Sequence, residues 1–189
     1  PVSVGPGITG GGFDSPPLRR GIEQARRDDA TVIWCHNKFG LEDVPNWIAG
    51  LVQANNIFDG GSHGSYEDSF YRFLNIGLQV PFSTGTDWFI YDFSRVYVKM
   101  DGPVTVRGWL SRLRAGRSFI SNGPLLEFEA GGKSIGDTIT LERASNISVR
   151  GRAVGRGDFE RVQLVYNGKV VRSVRSRPVN AHHEANLQF

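Results

Sequence analysis

Cysteine, methionine and lysine are scarce in this sequence. Its 189 residues include one cysteine, Cys35, and one methionine, Met100. A single cysteine excludes an intramolecular disulfide framework and a cysteine-rich zinc knuckle. Only four of the 22 basic residues are lysines, and no block of like charge stands out, although the pI is about 9.3. A nucleic-acid interface is therefore not indicated.

Long hydrophobic runs are also missing. No segment approaches the roughly 18 apolar residues of a transmembrane helix, so we expect no membrane span. The first residues lack a charged segment followed by an apolar stretch, so we expect no signal peptide among them, and the compartment stays open. Core-forming residues are nevertheless plentiful, since 39% of the chain is hydrophobic and 11% aromatic. This length accommodates one domain, or one domain and part of a second.

Residues 1–122 predict alternating helices and strands. Helical spacing of apolar residues indicates helices at about 15–27, 43–53 and 65–78, and a further one begins after Thr105 and ends at Gly116. Short apolar runs at 31–35, 56–59 and 80–84 indicate buried strands. Such alternation is typical of βαβ units, so the first domain is predicted to be α/β with a parallel sheet.

Residues 123–189 predict a small all-β, sandwich-like domain. Strands are expected at 125–129, 146–154, 161–166 and 169–174, and residues 185–189 also have the character of a strand. Asn167-Gly168 separates two of these strands. That dipeptide predicts a two-residue type I′ hairpin turn in which both residues have positive φ.

Histidines and aspartates follow the predicted parallel strands. His36 comes directly after the first buried strand, and Asp87 follows the third. Asp59 and His63 follow the strand between them. The carboxyl ends of parallel strands meet at one edge, where an imidazole and a carboxylate can share a divalent cation. The alternative is that these side chains only cap helices or hydrogen-bond within loops.

Six segments in fixed order resemble a known family across roughly residues 15–140. They are Trp34-Cys35-His36-Asn37 and residues 56–61, 65–68, 71–77, 83–88 and 116–124. Together they resemble the CehA/McbA-like metallohydrolases of the PHP (polymerase and histidinol phosphatase) superfamily. The resemblance implies the C-terminal part of a distorted (β/α) barrel, followed here by the β-domain. It also implies divalent zinc, manganese or iron ions and the hydrolysis of small-molecule phosphoesters or of carboxylic or carbamate esters.

The resemblance assigns roles residue by residue. His36 and Asp87 match metal-ligand positions, whereas Phe89 stands where many relatives have a second histidine. The family's first His-x-His motif is absent, so we expect it to precede Pro1 and expect this chain to be an inactive fragment by itself. Additional candidates for the site or for contact with the substrate are Asn37, Asp59, His63, Trp88 and Asn122.

Two other functions remain open at this stage. Gly60-Gly61-Ser62-His63-Gly64 matches the G-x-S-x-G pattern of a serine esterase, with Asp87 and then His182 or His183 following in the order of a triad. Because both histidines lie beyond the predicted β-domain strands, such a triad would have to cross domains. The simpler interpretation of the pattern is a glycine-rich turn. The third possibility is a non-catalytic module whose β-domain binds a carbohydrate or a protein.

Overall fold

The structure, a computed structural model, describes residues 18–34, 43–58, 71–85 and 94–189. Its helices are α1 (Leu18–Arg27), α2 (Asp43–Ile48), α3 (Arg72–Asn75) and α4 (Val106–Arg114). Its strands are β1 (Ile33–Trp34), β2 (Ala54–Phe58), β3 (Phe82–Thr84), β4 (Arg95–Val98), β5 (Ser118–Ser121), β6 (Leu125–Ala130), β7 (Lys133–Ser134), β8 (Val149–Gly155), β9 (Arg161–Tyr166), β10 (Lys169–Arg175), β11 (Arg177–Val179) and β12 (His182–Gln188). No helix in these ranges has both the length and the apolarity to cross a membrane.

The first three strands form a parallel sheet in the order β1-β2-β3. The prediction of parallel strands in this part of the chain is therefore confirmed. The hydrophobic core cluster at this sheet consists of Ile22 from α1, Trp34 from β1 and Val52 just before β2. Trp47 of α2 packs against that cluster. The helical spacing in α1 and α2 thus buries one face of each helix against the sheet.

The predicted (β/α) barrel is wrong. A barrel needs a closed ring of parallel strands, each followed by a covering helix. In the described ranges parallel pairing stops at three strands, and β4 pairs antiparallel with β5. Only α1 and α4 exceed six residues there, and strands in small sheets, at 39%, outweigh the helices. The predicted helix at 43–53 ends early at Ile48, and of the one at 65–78 the described part contains only α3.

The C-terminal part is antiparallel throughout its described pairings. A five-stranded sheet has the order β11-β12-β8-β6-β7, and β9 and β10 form a separate two-stranded sheet. Both β9 and β10 contact β12, so the small sheet lies against the large one. Ala153, Ala185 and Leu187 are the buried hydrophobic residues of the larger sheet. This arrangement is compatible with the predicted sandwich.

The turn between β9 and β10 is the one that the sequence predicts. Tyr166 pairs with Lys169, and between them Asn167 has φ 48° and Gly168 has φ 73°. Positive φ at both central residues defines the type I′ turn. The predicted hairpin is confirmed.

Replacing Gly168 tests how much of the β-part depends on this turn. We expect Gly168→Val to lower the free energy of unfolding by about 1–2 kcal/mol, because a β-branched residue is strained at positive φ. Gly102→Val is the control, since Gly102 is exposed, has no positive φ and has open space around it. Urea unfolding of both variants measures the difference. Equal stability of the two variants would contradict the assignment of this turn.

A tight junction joins the two parts of the chain. A Cβ atom placed on Gly136 would lie 2.7 Å from the carbonyl carbon and oxygen of Gly116, at the end of α4. Arg117 Nη2 forms an ion pair with Asp137 Oδ1 at 2.5 Å, and Lys99 Nζ donates to Ser134 Oγ at 2.8 Å. The turn at residues 134–137 is therefore held against the chain that connects α4 to β5.

Alanine substitutions at two glycines of equal φ isolate this contact. Gly132 and Gly136 both have φ 77°, but a Cβ on Gly132 meets nothing within 4 Å. We expect Gly132→Ala to cost about 1–2 kcal/mol of stability from backbone strain alone. Gly136→Ala should cost at least about 1 kcal/mol more, because the added carbon overlaps backbone atoms. Thermal and urea unfolding measure the loss of stability in each variant. Equal losses in the two variants would contradict the close contact at the junction.

Candidate functional site at the parallel strand ends

The carboxyl ends of the three parallel strands share one edge of the sheet. Trp34, the last residue of β1, is opposite Asn55, whereas Phe58 and Thr84 at the ends of β2 and β3 are opposite each other. In the described ranges, the last pair between β1 and β2 is that of Trp34 with Asn55. The pairing of β2 with β3 is irregular between Asn56 and Phe58. The end of β2 therefore departs from regular sheet geometry.

Buried polar residues are concentrated around this sheet. Asn55 is completely buried in the central strand. Neither its side-chain Nδ2 nor its Oδ1 has a hydrogen-bond partner in the described part of the chain. Asparagine is disfavoured in strands, and a buried amide without a partner destabilises a fold. The described buried polar residues all precede residue 95: Asn46, Asn55, Ser83, Thr84 and Ser94. Burial of a polar side chain is costly unless it is hydrogen-bonded, so the amide of Asn55 is the unfavourable member of this set.

Asn56 brings a polar group to the edge itself. A Cβ atom placed on Gly85, the residue after β3, would lie 3.9 Å from Nδ2 of Asn56. Asn56 is half-buried and is opposite Ser83 in the sheet. The amide of Asn56 is therefore next to the start of the segment that leads to Asp87.

Most of the predicted site residues lie outside the described residues. They are His36, Asn37, Asp59, Ser62, His63, Asp87 and Trp88. Asn122 is described and is exposed directly after β5, where Ser121 Oγ donates to the carbonyl of Pro124 at 2.6 Å and accepts from the N–H of Gly123 at 3.0 Å. Across residues 18–34, 43–58, 71–85 and 94–189 no group of three or more His, Cys, Asp or Glu side chains can hold a metal ion.

The two C-terminal histidines have structural positions that the sequence interpretation missed. Both belong to β12, so the expectation that they lie beyond the β-domain strands is wrong. His182 Nε2 lies 2.7 Å from Glu184 Oε1, and Arg152 Nη2 lies 3.0 Å from the same oxygen. Hydrogen bonds from His182 and then from Arg152 lower the pKa of Glu184. The spacing of residues 182 and 184, which puts both on one face of a strand, was the available signal.

Comparison of the chain with protein-family models, with curated proteins and with solved structures finds no match. Function is therefore inferred from the chain's own residues and from the geometry of its sheets.

The Glu184 cluster should make stability depend on acid pH. Since the folded-state pKa of Glu184 is lowered below the ordinary value of a glutamate carboxyl, the charged carboxylate stabilises the fold at pH values above that ordinary pKa, and this contribution is lost as pH falls through the folded-state pKa. We expect Glu184→Gln to lose less stability than the unmodified chain between about pH 6 and about pH 3. Urea unfolding at both values measures this, with the exposed Glu142→Gln as the control. Identical acid losses in Glu184→Gln and the unmodified chain would contradict the cluster.

Proposed function

We propose that this chain belongs to a metal-dependent hydrolase that cleaves phosphoester or carboxylic or carbamate ester bonds in small-molecule substrates. The observation that carries the proposal is the shared edge of the parallel sheet, where β1, β2 and β3 end at Trp34, Phe58 and Thr84. In the sequence a histidine or an aspartate follows each of these ends within three residues: His36, Asp59 and Asp87.

The residue types suit a divalent cation. A neutral imidazole from His36 and a carboxylate from Asp87 are ligands that zinc, manganese and iron accept, and Asp59 adds a second carboxylate. Three parallel strands are sufficient to bring their carboxyl ends together, so the proposal does not need a closed barrel. A divalent ion held by these residues would supply Lewis-acid chemistry, which lowers the pKa of water towards about 7.

The buried polar residues support the same edge. The side chains of Asn55, Ser83 and Thr84 are buried polar groups in a sheet that otherwise packs on a hydrophobic cluster. Asn56 adds an amide beside Gly85. These groups can hydrogen-bond the metal ligands or the polar part of a substrate and so fix their orientation. The resemblance of the six segments to CehA/McbA-like metallohydrolases supports the choice of ester and phosphoester substrates.

The serine-esterase alternative has less support. Its triad requires a histidine from β12 as the base for Ser62. His182 is already within 2.7 Å of Glu184, and His183 lies in a strand that pairs on both sides with β8 and β11. Both histidines are thus held within β12 by pairing or by contact with Glu184. Neither is free to move out of the sheet to act as the base for Ser62.

Metal content and hydrolysis together test the proposal. We expect His36→Ala and Asp87→Asn each to lower manganese or zinc content and the hydrolysis of nitrophenyl acetate and nitrophenyl phosphate by at least about tenfold in the full protein. Ser62→Ala is the matched control and should keep both. Elemental analysis and rate measurements with and without a chelator provide the readouts. If Ser62→Ala abolished hydrolysis and chelation did not, the esterase would replace the metallohydrolase.

A further inference from the structure

A groove of about 590 Å³ lies on the five-stranded sheet beside the β4–β5 pair, and the proposed hydrolytic site does not use it. This volume is in the range of small-molecule sites. Side chains from both parts of the chain line it. The ones that carry the inference are Lys99, Phe119, Leu126, Phe128, Ile135 and Leu187.

A glycine in the central strand creates the floor of the groove. Gly151 of β8 is opposite Phe128 on β6 and Leu187 on β12. A Cβ atom placed on it would have its nearest contacts at 3.7 Å, on Leu187, and at 3.9 Å, on the carbonyl oxygen of Glu127. Glycine inside a strand weakens the strand and often marks a place where another group approaches the backbone closely. The missing side chain leaves a depression between two apolar residues.

The walls of the groove are apolar and partly uncovered. Leu126 and Phe128 are 40% and 42% exposed, and strand alternation puts both on the same face of β6. The ring of Phe119 stacks on that of Tyr97, with centroids 5.1 Å apart and planes 12° apart. This stacking limits the motion of the aromatic wall. An apolar ring or chain lying over Gly151 would remove these surfaces from water.

One cation at the groove has no counter-charge. Lys99 Nζ donates to the hydroxyl of Ser134 and has no ion pair in the described part of the chain. Arg150, Arg152, Glu127 and Glu129 also line the groove, but their charges are paired: Arg150 lies 4.0 Å from Glu129, and Arg152 lies 3.7 Å from Glu127. Alternation along β8 directs the two arginine side chains away from the face that Gly151 shares with Phe128 and Leu187. The groove therefore combines apolar side chains with one cation that has no ion-pair partner among the described residues. We propose that it binds an amphipathic anion, with an apolar ring or chain over Gly151 and an acidic head group at Lys99.

The floor of the groove has no free backbone edge. β8, which contains Gly151, is paired along its length with β6 on one side and β12 on the other. A peptide that binds by extending a sheet needs an edge strand. A ligand that lies over Gly151 is therefore recognised there by side chains, which suits a small molecule.

Naphthoate and its neutral amide, naphthamide, are matched probes for isothermal titration. We expect naphthoate to bind and Lys99→Gln to weaken its affinity by about threefold or more, without changing that of naphthamide. Lys133→Gln removes the same charge from a lysine that does not line the groove, and it should change neither affinity. Gly151→Val should abolish binding of both probes and leave the thermal midpoint equal or higher, because valine favours strands.

Three results would overturn the proposal. The first is no naphthoate binding up to its solubility limit. The second is that Lys99→Gln binds naphthoate with the affinity of the unmodified chain. This result can be read even if the Gly151 variant does not fold. The third is sedimentation of the unmodified chain as a dimer that Gly151→Val converts to a monomer, since the groove would then be an interface between two copies.

Discussion

The pairing of β2 with a parallel strand on each side is the constraint on which the candidate site depends. It encloses the side chain of Asn55 and brings the ends of β1, β2 and β3 to one edge. Because side chains alternate along a strand, a slip of one residue would move Asn55 to the other face and Asn56 into its place. The positions of the three strand ends are thus set by the register of a short, partly polar strand.

The second part of the chain is connected to the first by more than a linker. The turn at residues 134–137 packs against Gly116, and Ser134 and Ile135 of that turn also line the groove over Gly151. The wall with Lys99 and Phe119 comes from the residue after β4 and from β5, whereas the floor comes from the five-stranded sheet. A ligand that bridges both parts stabilises the junction, since binding favours the state that contains the complete groove.

Local chemistry explains which elements the sequence could predict. Thr105 caps α4 by accepting the N–H of Gly108 at 3.1 Å, and Asn167-Gly168 forms its hairpin; both depend on neighbouring residues alone. Closure of a barrel depends on pairing between distant strands, which local periodicity does not encode. β12 was only partly anticipated because its His-His-Glu start is polar, although Ala185 and Leu187 alternate towards the core. The shared strand edge was predictable from βα alternation, whereas the groove depends on the long-range pairing of β6, β8 and β12.

The position of a bound metal ion tests the account most directly. Crystals of the full protein soaked in manganese would show the ion by its anomalous scattering. We predict a peak beyond the carboxyl ends of β1 and β3, coordinated by His36 and Asp87, that disappears in Asp87→Asn. A peak at His182 and Glu184, or a hydrolytically active crystal with no peak at the strand ends, would contradict the account.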